Sequence, residues 1–222
     1  MRREDFLKAF EQLGRRFPEP VRLALAGGSA MILMGYVDRD TADADAMETT
    51  PKLSTLQRYL DEVADELGVR PDWLNDAVRA HRDLLPPDFL DRLQPVGVFG
   101  NLTVDAIGRQ DLILMKIAAG RARDLDDLKA LQPTPEEITF VASQLERISQ
   151  TSPSRALRLD LYLRQHDGGD IGRSSVSPRP ALAASPETSL RGQADAGSDR
   201  DAVVTPPSSP RPARRSPRRR GR

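Results

Sequence analysis

The sequence predicts an α/β (α+β) fold, with a small mixed sheet flanked by helices, then C-terminal helices and a disordered tail. Three observations predict it. Apolar runs of strand length, VRLALA at 21–26 and PVGVFGNLTVDAIG at 95–108, are separated by stretches whose apolar residues recur at helical spacing. The interruptions are Gly and Pro pairs that suit turns, Gly27-Gly28 and Pro86-Pro87 among them. From about residue 167 the composition turns to Gly, Ser, Pro, Ala, Arg and Asp with no apolar period, and such a segment buries too little surface to offset chain ordering.

The elements follow in order. Phe6, Leu7, Phe10 and Leu13 place a helix over 3–16. The strand at 21–26 ends at Gly27-Gly28, residues 29–36 read as a helix, and 41–47 as a strand. Leu53, Leu56, Leu60, Val63 and Leu67 form one apolar stripe, so 52–67 is helical. Pro71 suits the first turn of a short helix through Val78. A short helix after Pro86-Pro87 reaches Leu93, and 95–108 supplies one or two strands. Residues 110–119 are a buried helix that 122–131 continue or restart; further helices are expected at 135–149 and 154–165. The expected organisation is a domain over 1–132, a helical extension over 133–166 and the tail over 167–222.

Composition excludes several classes of chemistry. The 222 residues include no cysteine, which removes disulfides, thiol catalysis and thiolate zinc sites. The two histidines, His81 and His166, are far apart and in no ligand spacing; His81 is expected on a solvated helix end. No apolar run approaches the roughly 18 residues that cross a bilayer, and MRREDFLKAF lacks an apolar signal core, so the expectation is a cytoplasmic protein with no membrane partner. The zero net charge hides an asymmetry: residues 167–222 hold 11 Arg against 6 acidic residues. The terminal RPARRSPRRRGR is either a solvated basic tail or an electrostatic contact for nucleic acid or an acidic partner. Only four of the 33 basic residues are lysine, so single arginines carry little weight and a lysine in apolar company carries more.

Three features bear chemistry. In LALAGGSA, 23–30, an apolar strand runs into Gly27, Gly28 and Ser29 at a helix start, a place where a backbone can approach a phosphate closely or where Ser29 simply caps a tight turn. In RDTADADAM, 39–47, Asp43 and Asp45 stand two apart and share one face of a strand. Their mutual repulsion is relieved by a divalent cation such as Mg²⁺; the plain alternative is an acidic loop. A calcium loop starting at Asp38 fails, because Ala42, Asp43 and Thr49 fall where an oxygen ligand, Gly and Glu belong. In DLILMKIAAGRARDLDDL, 111–128, Lys116 sits in an apolar run and must snorkel or meet an anion. Asp124 and Asp127 share a helix face, and Asp124 lies about two turns from Lys116 if the helix is continuous.

Taken together over roughly 20–132, these features resemble the nucleotidyltransferase superfamily of the polymerase-β type, with the AbiEii-type and MenT-type toxin relatives and a large uncharacterised bacterial family beside them. The resemblance rests on GGSA at 27–30, on Arg39-x-Thr41-x-Asp43-x-Asp45, on Asp72-Trp73-Leu74-Asn75-Asp76, and on Asp111-Leu112-x-x-x-Lys116 followed by Arg121-x-Arg123-Asp124-x-x-Asp127. It implies a nucleotidyltransferase-like fold. It implies that Gly27, Gly28 and Ser29, with Thr41, hold a nucleotide's phosphates, that Asp43 and Asp45 hold Mg²⁺ (or Mn²⁺), and that Lys116 neutralises phosphate charge. Asp124 and Asp127 would support that lysine or the far wall. The implied reaction is transfer of an NMP group from an NTP to an RNA (tRNA) or protein hydroxyl, in a toxin–antitoxin or phage-defence setting with an antitoxin as partner. The alternative is an inactive member that binds a partner protein or nucleic acid.

The sequence also departs from that pattern. Ala42, Ala44 and Ala46 surround the aspartates where larger β-branched residues are usual, and they predict a weakly packed strand. A third metal-binding carboxylate is not evident; Asp105 and Asp76 are the choices. Trp73 is either an anchor beneath the sheet or a wall that stacks on a base, and Asn75 and Asp76 would line the same pocket.

Overall fold

A computed structural model describes residues 1–166. The tail and its Arg-rich end lie outside the described residues. The chain runs α1 (Arg3–Arg16), β1 (Val21–Ala26), α2 (Gly27–Leu33), β2 (Ala44–Thr50), α3 (Gln57–Leu67), β3 (Leu74–Asn75), β4 (Gln94–Phe99), β5 (Leu102–Ala106), α4 (Arg109–Ala119), α5 (Ala122–Leu131), α6 (Pro135–Ser143), α7 (Leu145–Thr151) and α8 (Pro153–His166). Three 3₁₀ turns, Leu53–Leu56, Ala77–Leu84 and Phe89–Arg92, fill the connections. The α/β fold and the small mixed sheet are as the sequence predicts.

The five strands lie in the order β3-β2-β1-β5-β4. β1 is central, antiparallel to β2 and parallel to β5, with Ala26 opposite Asp45 and Ala24 opposite Asp105. α1 packs on β4, β5 and α3, and α2 packs on β1 and β2. The core lies among them: Phe6, Phe10, Leu13, Leu25 and Trp73 are each fully buried. A buried phenylalanine contributes about 2–3 kcal/mol by transfer from water, and Phe10 touches the rings of Phe6, Trp73 and Phe99, so Phe10→Ala costs about 3–5 kcal/mol.

Several boundaries differ from expectation for local reasons. No helix forms over 71–78. The Ala44 N–H donates to the Trp73 carbonyl (2.6 Å), laying Leu74–Asn75 beside β2, and the Asn75 side chain then accepts from the Ala77 N–H (3.0 Å) and starts the 3₁₀ turn. The strand expected at 41–47 sits three residues later, because Glu48, Thr49 and Thr50 continue the pairing with β1. Its alanines do not prevent pairing on both edges; Ala44 and Ala46 are fully buried. The helix expected at 135–149 divides at Gln144, where the N–H bonds back three residues to Val141. α4 does not continue into α5: Gly120 takes a left-handed conformation (φ +61°) and the chain turns back.

Candidate functional site

The site begins where β1 ends. Gly27 has φ +64°, a conformation that costs an L side chain about 1–2 kcal/mol, and a Cβ there would overlap the Asp45 carboxylate. Glycine is therefore required twice over. A Cβ on Gly28 would lie 3.2 Å from a guanidinium nitrogen of Arg39 and 3.3 Å from the Thr41 hydroxyl. The turn, Asp45, Arg39 and Thr41 thus crowd together. Ser29 holds them there from below: fully buried, its hydroxyl donates to the Ala26 carbonyl (3.2 Å) and accepts from the Asp45 N–H (3.3 Å). That hydroxyl ties the turn to β2, and Ser29 does not line the cavity.

Asp43 lies immediately before β2 and Asp45 within it, on the same side by strand alternation. The Asn75 amide donates to Asp43 (3.4 Å). Burial, and then the negative charge of Asp43, push the Asp45 carboxyl above its ordinary range, against the pull of Lys116 and Arg121.

Lys116, 8% exposed on α4, neither snorkels nor waits for an anion. Its ammonium donates to Asp124 (2.9 Å) and Asp127 (2.7 Å), both buried on α5. The reversal at Gly120 brings them together where a continuous helix would have aligned only one of them. Arg39 reaches across to Asp127 with two bonds (3.0 and 2.9 Å), and Arg121 donates to Asp124 from its side chain (3.0 Å) and its backbone (3.2 Å). Burial pushes Asp127 up, but the hydrogen bonds from Arg39 and Lys116 outweigh it and hold the carboxyl below its ordinary range. The result is one alternating row, Arg39–Asp127–Lys116–Asp124–Arg121.

These groups border a cavity of about 550 Å³. Of the residues singled out in the sequence, Gly27, Gly28, Thr41, Asp43, Asp45, Lys116 and Asp124 line it, while Ser29 and Asp127 stand behind the wall. Arg39, Arg121, Arg123, Arg155 and Arg158 also line it and are not among the predicted site residues. Arg39 had a signal, its place in the Arg39-x-Thr41-x-Asp43-x-Asp45 run; Arg155 and Arg158 had none beyond i, i+3 spacing on a helix. His81 is exposed in the last turn of the 3₁₀ segment, as expected, yet also lies on the cavity wall.

Three alternatives are decided by geometry. Trp73 is fully buried with its ring 6.1 Å from Phe10, so it anchors the core and is no wall for a base. Asp76 faces Arg79 (3.7 Å), and neither Asp76 nor Asn75 lines the cavity. Asp105 is paired with Arg22 (3.2 Å) and sits two rows along β1 from Asp45, away from the cavity. Among the described residues no group of three or more His, Cys, Asp or Glu is set to hold a metal ion, so the third carboxylate is not found.

A glycine turn, two neighbouring carboxylates and a buried lysine thus meet on one cavity. In the comparison of families, residues 5–133 match the family described as "Nucleotidyltransferase of unknown function (DUF6036)", and the chain belongs to that family. A narrower tie to AbiEii-type or MenT-type proteins is not established by the match. No curated protein and no solved structure matches the chain. No helix among the described residues is long and apolar enough to cross a membrane.

Proposed function

We propose that this protein moves an NMP group from an NTP to a hydroxyl of an RNA, a tRNA 3′ end included, or of a protein side chain. The observation that carries the reading is the convergence of the Gly27-Gly28 turn, Asp43, Asp45 and Lys116 on one cavity. In the reaction the acceptor oxygen bonds to the α-phosphorus, the bond to the β-phosphate oxygen breaks, pyrophosphate leaves, and the hydroxyl proton passes to water.

The residues fit a divalent cation, Mg²⁺ (or Mn²⁺). Two carboxylates alone leave most of its ligand positions to water and phosphate oxygens, which is how Mg²⁺ is commonly held, and the charge of Asp43, second to burial in raising the Asp45 carboxyl, is a repulsion that a cation relieves. When bound, the cation neutralises phosphate charge. The Gly27-Gly28 backbone admits the phosphates closely, Lys116 and Arg39 face them with fixed positive charge, and Asp124 and Asp127 hold both cations in place without reorganisation at the moment of reaction. In this reading the biological setting is a toxin–antitoxin pair or phage defence, with an antitoxin as protein partner, and the Arg-rich tail is a further contact for nucleic acid.

The test is a screen of α-labelled NTPs with Mg²⁺ against total RNA and cell lysate. Label transferred by the native protein and lost in Asp43→Ala supports the reading; equal transfer by Asp43→Ala rejects it. A second reading is favoured by one observation: the Lys116 ammonium is already held by two carboxylates, and among the described residues no third carboxylate joins Asp43 and Asp45. In that reading the fold is retained without catalysis and binds a partner protein or nucleic acid. It predicts no Mg²⁺-dependent NTP binding in calorimetry, and micromolar binding refutes it.

A further inference from the structure

The cavity is longer than its phosphate end. Beyond Lys116, α4 offers an apolar strip, Leu112, Met115 and Ala119, spaced to lie on one face of the helix. The 3₁₀ turn over Ala77–Leu84 offers Ala77, Val78 and Leu84 to the same cavity and packs against α4. Together these side chains give the cavity an apolar end beside the glycine turn and the carboxylates, suited to a flat ring with apolar faces. The far wall comes from α8. Arg158 bonds the Ala118 carbonyl through Nη1 (2.9 Å), which anchors its guanidinium to the end of α4 and leaves the Nε–Nη2 edge as a two-donor fork. Arg155, one turn earlier, reaches the 3₁₀ turn instead, at His81 Nδ1 (2.8 Å) and Asp83 (3.4 Å). α8 thus bridges the two walls with arginines.

We infer that this apolar end takes the nucleobase of the NTP, and that Arg158, held by the Ala118 carbonyl, selects bases presenting two adjacent acceptors. Those edges are O6/N7 of guanine and O2/N3 of cytosine. Adenine sets a donor beside its acceptor, and the two uracil oxygens flank a donor. A guanidinium fork carries donors only, so it bonds the first pair of bases twice and the second pair once. Both arginines lie beyond residues 5–133, so the selectivity comes from the C-terminal helices and not from the segment that defines the family. The inference rests on the nucleotide reading of the phosphate end.

The experiment is isothermal titration of the full chain, with Mg²⁺, by the four NTPs and by inorganic tripolyphosphate, which has no base. GTP and CTP are expected to bind at least tenfold tighter than ATP and UTP. Arg158→Lys, which keeps charge and loses the fork, should level the four nucleotides and leave tripolyphosphate unchanged. Val78→Trp, which fills the apolar end from the 3₁₀ turn, should abolish the advantage of every nucleotide over tripolyphosphate. Four nucleotides within threefold of one another in the native protein, or a ranking that survives Arg158→Lys, overturns the inference while the phosphate end stands. Failure of tripolyphosphate and all four nucleotides to bind overturns the nucleotide reading itself, and this inference with it.

Discussion

Asp45→Asn should make the ligand-free protein more stable at neutral pH, although it removes a residue the proposed chemistry needs. Two residues apart on one strand face, Asp43 and Asp45 are separated by about 6.6 Å at about 3.3 Å per residue. Two full charges at that distance repel by about 0.6 kcal/mol in water and about 2.5 kcal/mol at an effective dielectric constant of about 20. Burial is the larger cost, the charge of Asp43 adds to it, and Lys116 and Arg121 offset part of both; the net direction is a carboxyl raised above the ordinary 3.8. A carboxyl that binds its proton more tightly when folded loses stability as pH climbs from 3.8 through the raised value, and the loss is complete above it. Asn carries no such loss. The expected gain is about 1 kcal/mol at pH 7.5, or about 2–4 °C in Tm for a body of this size. Thermal melts of both proteins, followed by circular dichroism from pH 7.5 to pH 4, read it directly. The gap should close as pH falls, and added Mg²⁺ with nucleotide should raise the Tm of the native protein only. A variant less stable than the native protein at pH 7.5, or a gap that does not change with pH, refutes the reasoning.

Other substitutions test the remaining parts of the site. Lys116→Met leaves Asp124 and Asp127 buried with one arginine each, and should cost about 3 kcal/mol in a urea titration, part of it recovered in Lys116→Met/Asp124→Asn. Asp127 has the opposite sign to Asp45: its lowered carboxyl contributes stability that is present above the ordinary 3.8 and disappears as pH falls through the lowered value. The difference between native protein and Asp127→Asn in urea titrations should therefore be large at pH 7 and close in acid. Gly27→Ala combines left-handed strain of about 1–2 kcal/mol with displacement of Asp45, so calorimetry should show loss of Mg²⁺-dependent nucleotide binding beyond what the fall in Tm explains.

What the sequence made legible was whatever depends on spacing along one element. The apolar stripe of α3, the run into Gly27-Gly28 and the i, i+2 aspartates are each written in a few consecutive residues, and each is found in the structure. Contacts between elements were not legible. Nothing local tells that the Ser29 hydroxyl faces inward to Asp45, that Arg39 crosses to Asp127, or that the Trp73 carbonyl recruits β3 and cancels a helix. Lys116 is the intermediate case. Its apolar surroundings required a partner, and the sequence offered Asp124 and Asp127 as candidates, but the reversal at Gly120 that delivers both could not be read from helical periodicity.

The row of charges explains why the arginines matter. Each carboxylate in the row is held by two cations, so Asp124 and Asp127 immobilise Lys116, Arg39 and Arg121 more than they cancel them. A lysine alone on an apolar helix would leave its ammonium without a partner; set between two aspartates that are themselves clamped, it keeps its place. Arg39 then becomes as informative as Lys116, because it joins the Gly28 turn to the same row. The same reasoning extends to α8, whose Arg158 is tied to a carbonyl of α4 and whose Arg155 is tied to the opposite wall. Arginines fixed by protein partners cost little further ordering when a ligand arrives, so for the nucleotide proposed above, how the cations are braced would count for more than how many there are.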